Sequence, residues 1–282
     1  MNKVKVFLEM IKFEHTIFAL PFAYLGAFLA YNGVPPTLKL FWITLAMVGA
    51  RTAAMALNRI IDSHIDKLNP RTEARAIPSG KISAFEVWGY VFLSFALLFI
   101  AAAQLNPLCV KLMPIAVFIL VIYSYMKRIS WACHLVLGVA IGLAPLGSWV
   151  AISGSIELPG ILLGIAVAAW VAGFDIIYAT QDWEFDRKHG LHSIPVRFDP
   201  RGAFAIARGL HILAPIMLIM VGLTLQLGII YYAGVLVAIG LLFYEHRLVS
   251  PDDLTKVNIA FFNMNGYLSM VMFVFTLLDL IF

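Results

Sequence analysis

Residues 39–66 read KLFWITLAMVGARTAAMALNRIIDSHID. Up to Leu57 every position is apolar or small except Lys39, Arg51 and two threonines. A helix needs about 20 apolar residues to cross the hydrocarbon core of a bilayer. The stretch therefore predicts a membrane-crossing helix that ends in a polar face, because Asn58, Asp62 and Asp66 follow at intervals of four. On a helix such residues share one side, with neighbouring Cβ atoms about 5–6 Å apart, and like charges at that spacing repel. A hard cation removes the conflict. Mg2+ typically takes one or two carboxylates and completes its shell with water or phosphate oxygens.

The whole chain agrees with a lipid environment. Of its 282 residues 62% are hydrophobic and 13% charged, against about 45–50% and about 25% in soluble domains. Nine apolar runs are read as spans: 14–32, 39–60, 84–104, 107–126, 131–153, 158–180, 203–225, 228–244 and 259–281. The expected fold is all-α, a polytopic membrane protein of nine helices around a central cavity with cytoplasmic cap loops. It is read as a single domain over 1–282, with the first span retained rather than cleaved as a secretory signal. Basic residues gather in alternate loops, and only Lys39 and Lys111 fall on the other side. The positive-inside rule places the N-terminus and the loops after spans 2 and 6 in the cytoplasm, with the C-terminus outside. The net charge of +4 sits in these loops and is no signal for nucleic acid. Cys109 and Cys133 have neither zinc nor redox spacing.

The loops after spans 2 and 6 stand out by length, and long loops in compact domains are often functional. Span 6 runs into a second acidic pair, Asp182 and Asp186. One such pair alone is more often a solvated helix end. Two, at the same membrane face and four spans apart, point to two Mg2+ ions bridging one diphosphate. Cations suited to phosphate oxygens lie nearby: Arg71 and Arg75, Lys127 and Arg128 with Tyr123, and Lys188. Two charges sit deeper. Arg51 and Asp175 each precede their motif by seven residues, roughly 10 Å at 1.5 Å per residue. A charge at the bilayer centre costs about 2.5–3.5 kcal/mol on the insertion scale. Both are therefore expected to face a polar cavity, with Tyr178 one turn beyond Asp175. A structural ion pair between helices is the alternative for these two.

At these residues the chain resembles the UbiA superfamily of intramembrane aromatic prenyltransferases. Asn58, Asp62 and Asp66 are similar to its first signature, and Arg71-Thr72, Arg75 and Pro78-Ser79-Gly80 to the continuation. Asp175, Tyr178, Asp182, Asp186 and Gly190 carry the spacing of its second, and Tyr123, Lys127 and Arg128 that of its Y-x-x-x-K-R. Arg59 stands where many members have Asp, and Ala76 where Pro is usual. Residues 12–21 and 69–72 look like 4-hydroxybenzoate polyprenyltransferases, and equally like relatives that prenylate a dihydroxynaphthoate in the futalosine route to menaquinone. The resemblance implies transfer of a polyprenyl group from its diphosphate to a small aromatic acid in quinone biosynthesis, in the cytoplasmic membrane. It implies Mg2+ on Asp62, Asp66, Asp182 and Asp186, with diphosphate on Asn58, Arg71, Arg75, Tyr123, Lys127, Arg128 and Lys188. Asp175, Arg51 and Tyr178 are the candidates for acceptor chemistry. A secondary transporter is the rival reading from another class, but transporter sites lie near the midplane on broken helices.

Overall fold

A computed structural model describes residues 3–260 and 264–282, and the side chains of all of these but 14–19. The stretch 12–21 that carries part of the resemblance thus lies largely outside the described side chains. Among the described residues the secondary structure is helical, without strands. A short helix α1 (Lys3–Met10) precedes α2 (Glu14–Tyr31) and α3 (Thr37–Ile61). Then follow α4 (Ser63–Leu68), α5 (Ala84–Leu105), α6 (Pro107–Tyr123) and the single turn α7 (Met126–Ile129). The second part holds α8 (Cys133–Ser153), α9 (Leu158–Ala179), α10 (Trp183–Lys188), α11 (Ile194–Leu225), α12 (Ile229–Leu248), α13 (Val257–Ile259) and α14 (Asn265–Ile281).

Among the described residues six stretches are long and apolar enough to cross a membrane: α3, α5, α8, α11, α12 and the continuous segment Leu158–Lys188. The other three sequence-predicted spans correspond to shorter apolar helices at Leu20–Tyr31, Pro107–Tyr123 and Asn265–Ile281. Large apolar side chains such as Phe92, Phe118, Leu236 and Phe243 stand exposed on the bundle's outside, as a lipid-facing surface requires. The chain is an integral membrane protein.

Local chemistry sets the helix ends. Ser83 and Glu86 form a reciprocal capping box at the start of α5. Asn106 caps α6 through Cys109 N at 3.0 Å and reaches Val150 O at 2.8 Å, fixing α6 to the far end of α8. Ser193 caps α11, and Pro195 occupies its first turn. Helix α1 buries Val6, Phe7 and Met10 against Leu57, Val87 and Val91. Its C-terminal carbonyl at Met10 accepts from Arg59 Nε at 3.4 Å. The residue that departs from the family's acidic pattern thus serves a helix C-terminus, where a cation is favourable.

A close seam joins α8 to α9. A Cβ on Gly138 would lie 2.3 Å from Ala168 O, and one on Gly142 2.4 Å from Gly164 O. Without side chains at these two positions the backbones approach closely, as small residues permit in membrane bundles.

The structure also corrects the boundaries read from sequence. Span 4 ends at Tyr123, so Lys127 and Arg128 belong to the separate turn α7. Asp62 lies at the junction of α3 and α4, although Asp66 N still bonds Asp62 O at 2.8 Å and keeps the four-residue spacing. A 3-10 turn at Thr180–Asp182 separates α9 from α10.

Candidate active site

The four carboxylates gather at one end of the bundle, each with its own cation. Arg128 Nη1 donates to Asp62 Oδ1 at 2.8 Å, and its Nη2 donates to Ile61 O at 2.8 Å. Arg75 Nη1 donates to both oxygens of Asp66 at 2.7 Å. Arg71 grips Asp182 with two nitrogens, Nε at 2.8 Å and Nη2 on the other oxygen. Such a fork fixes geometry as well as charge. Lys127 Nζ lies 3.6 Å from Asp186 Oδ2.

The layering is consistent. The carboxylate side chains are 2–15% exposed and their cations 28–34%. The basic groups therefore stand between the acids and solvent. Burial pushes the Asp62 carboxyl up from its ordinary value, and Arg128 opposes that push. Burial alone would lower Arg71, but the bond and charge of Asp182 outweigh it and the net shift is upward. Lys127 behaves alike: burial pulls it down, and Asp186 and Asp182 carry it up.

Other predicted residues take supporting places. Asn58 Nδ2 donates to Asp62 Oδ2 at 2.8 Å, the contact its i, i+4 spacing implied. The Tyr178 hydroxyl accepts from Arg71 Nη1 at 3.3 Å, and the guanidinium lies 5.5 Å from the ring centre. Arg51 and Tyr123 line a cavity of about 390 Å³ whose walls are mostly apolar, among them Met47, Ala54, Met55, Leu98, Leu137 and Ile141. That volume lies within the range for small-molecule sites. Ile115, 58% exposed on the outer side of α6, also lines it, so the cavity reaches the bundle's surface there. Asp175 pairs with His134 Nδ1 at 2.8 Å across the α8–α9 seam. Lys188 is exposed and forms no ion pair among the described residues, so it stands apart from the cluster. Its neighbour Arg187 lies over the Trp183 ring.

Two residues of the site were not singled out as candidates from sequence. Asn69 accepts from Arg71 N at 2.9 Å and donates to Asp182 Oδ1 at 3.1 Å, which ties the first loop to the second motif. Its signal was the turn-forming Asn69-Pro70 pair. His134 opens the apolar run 131–153. Its signal was the spacing His134, Gly138, Gly142 on one helix face.

Among the described residues no three Asp, Glu, His or Cys side chains converge on one point. The acids come as pairs, which suits Mg2+ shared with phosphate rather than an all-protein cage. One atom waits for such a partner. Asp186 Oδ2 is buried and has no hydrogen bond among the described residues. Lys127 at 3.6 Å is beyond hydrogen-bond distance of it, a buried oxygen without a hydrogen bond is costly, and a metal ion would complete its coordination.

The family profile described as "UbiA prenyltransferase family" matches residues 19–267. A 4-hydroxybenzoate octaprenyltransferase of Photobacterium profundum is 31% identical over 278 residues, 97% of this chain and 96% of that protein. The apo structure of a UbiA homologue from Aeropyrum pernix is 35% identical with a TM-score of 0.86, covering 94% of this chain and 98% of that one. A UbiA homologue from Archaeoglobus fulgidus, solved with GPP and Mg2+, shares the fold at a TM-score of 0.73 and 22% identity, covering 98% of this chain and 100% of that one.

Proposed function

The chain belongs to the UbiA prenyltransferase family, and we propose that it transfers a polyprenyl group from polyprenyl diphosphate to an aromatic acceptor of the 4-hydroxybenzoate type, releasing diphosphate. The pathway served is respiratory quinone biosynthesis. Membership in a family of transferases sets the transporter reading aside. The observation that carries the proposal is the set of four carboxylates and four cations at one end of the bundle, with Tyr123, within electrostatic reach of Asp62, lining a mostly apolar cavity. Opposite charges in equal number suit a metal-bound diphosphate, which offers cations to the acids and oxygens to the bases.

Asp62, Asp66, Asp182 and Asp186 would hold Mg2+, with Asn58 orienting Asp62. Bound there, the metal supplies charge stabilisation for the leaving diphosphate. Arg71, Arg75, Lys127 and Arg128 now hold the carboxylates. On substrate binding they exchange partners: each lets go of its Asp and takes phosphate oxygens instead. Tyr123 and Tyr178 line the path between phosphate and cavity, and their π faces favour an allylic cation. The apolar wall keeps water from that cation. The long tail leaves sideways near Ile115 into lipid. Arg51 binds the acceptor's carboxylate inside the cavity, and Asp175 accepts a proton. The nine-helix arrangement, with the N-terminus and these loops cytoplasmic, rests on the basic loops and on all four acids sharing one end of the bundle.

The test is an assay of membranes expressing the protein, with labelled prenyl diphosphate and Mg2+. 4-Hydroxybenzoate and 1,4-dihydroxy-6-naphthoate are offered separately, with Asp62→Ala and Asp182→Ala as controls. Prenylated 4-hydroxybenzoate, lost in both variants, is the expected result. Product only from the naphthoate would move the chain to the futalosine branch, and product from neither would overturn the proposal.

A further inference from the structure

Along α8, His134, Gly138 and Gly142 follow at intervals of four, so they share a face. Gly142 meets Gly164 and Gly138 meets Ala168, where the backbones nearly touch. One turn further along this seam His134 meets Asp175 at 2.8 Å. The glycines therefore set the distance at which the two side chains join. His134 is 2% exposed at its side chain and Asp175 23%, so the imidazole lies behind a carboxylate that opens outward. Asp175 is within electrostatic reach of Tyr123, whose side chain lines the cavity, and of Lys127.

The other ring nitrogen decides the tautomer. Nε2 is buried without a hydrogen-bond partner among the described residues. A proton on Nε2 would strand a buried N–H and set a bare Nδ1 lone pair against the carboxylate. A proton on Nδ1 is donated to Asp175 Oδ2 and leaves only a lone pair unmatched. The second arrangement costs less, because a stranded donor and a lone-pair clash are both avoided.

We propose that His134 is a positioning residue for the prenyl transfer: it donates Nδ1–H to Asp175 Oδ2 and aims Oδ1 at the acceptor ring, where it takes the ring proton. This rests on the reading of the chain as an aromatic prenyltransferase. The electrons balance without an oxidant. The allylic C–O bond breaks and its pair leaves with diphosphate. The ring's π electrons form the new C–C bond, and the C–H pair restores aromaticity as the proton moves to Oδ1. A base held in place makes that last step fast. A base that swings free lets it become slow enough to limit turnover.

The experiment compares 4-hydroxybenzoate with the same acid deuterated at both carbons next to the hydroxyl-bearing one. Wild type, His134→Leu, His134→Met, His134→Gln and Asp175→Asn are assayed in detergent. His134→Met fills the pocket without a donor should leucine not fold there. The wild type is expected to show an isotope effect near unity. His134→Leu or His134→Met should lose about 10–100-fold in kcat, the usual cost of removing an orienting partner. They should gain a primary isotope effect, with KM for prenyl diphosphate unchanged. Asp175→Asn should show the same isotope effect, and His134→Gln, which keeps an N–H donor, should recover part of the rate. Active variants whose isotope effect stays at unity would overturn the role of His134 while leaving the prenyl transfer intact. A wild type that transfers nothing to this acid would overturn the functional reading and this inference with it.

Discussion

The two acidic motifs look alike in sequence, yet the halves of the molecule that carry them contribute unequally. The segment through α7 supplies Asp62 and Asp66 and all four cations that pair with the site's acids. The segment from α8 onward supplies Asp182 and Asp186, and its own Arg187 and Lys188 take no part among the described contacts. Arg71 and Lys127 reach across to the second motif, while Arg75 and Arg128 serve the first. The difference teaches that two similar motifs do not make two equal half-sites. The first half carries two cations beyond those its own acids need, and the second is an acidic lobe neutralised from outside.

The largest expected effect strikes both lobes equally. Asp66→Ala and Asp182→Ala should each cost about 10²–10³-fold in kcat for prenyl transfer, the scale for losing one group that stabilises developing charge. A defect in only one of them would break the pairing of the motifs. Next in size is the neutralisation of a cation. Arg71→Gln or Arg75→Gln removes charged hydrogen bonds worth about 1.5–3 kcal/mol each, so KM for prenyl diphosphate should rise by roughly 10–100-fold. Gly138→Leu is expected to force α8 and α9 apart and lower stability by about 1–3 kcal/mol, as overpacking does. Thermal unfolding in detergent measures it against Gly147→Leu, where a Cβ meets nothing within 4 Å. Smallest is Lys188→Gln, which should change kcat and KM by no more than about 1 kcal/mol, the range of exposed ion pairs. A large loss there would restore the second half as a source of cations.

Much of this asymmetry was hidden in the sequence, for physical reasons. The apolar runs and basic loops made the helical membrane class legible, because lipid imposes length and charge rules on every span. The acidic spacing made both motifs legible, because hard cations need oxygen ligands on one face. The partners were not legible. Arg71 follows the first motif in the chain but serves the second in space, since Asn69 turns the loop toward Asp182. Lys188 sits next to the second motif in sequence but points to solvent, because α10 is only six residues long and buries Asp186 on its opposite side. The one-turn α7 was read as the end of a span, as so short an element leaves no periodic trace. His134 was not legible either, since a histidine at the head of an apolar run carries no sign of the Asp175 it meets.

The exchange of partners can be measured directly by titrating Mg2+ into the purified protein by calorimetry, with and without inorganic diphosphate. The four carboxylates are already held by Arg71, Arg75, Lys127 and Arg128, so Mg2+ alone should bind weakly. With diphosphate present to receive those cations, Mg2+ affinity should rise by about 5–150-fold, the usual span of coupling between two ligands. Arg75→Gln should bind Mg2+ alone more tightly than the wild type and lose part of that gain. Equal Mg2+ affinity with and without diphosphate, unchanged by Arg75→Gln, would contradict the exchange and leave the four ion pairs as structural bonds only.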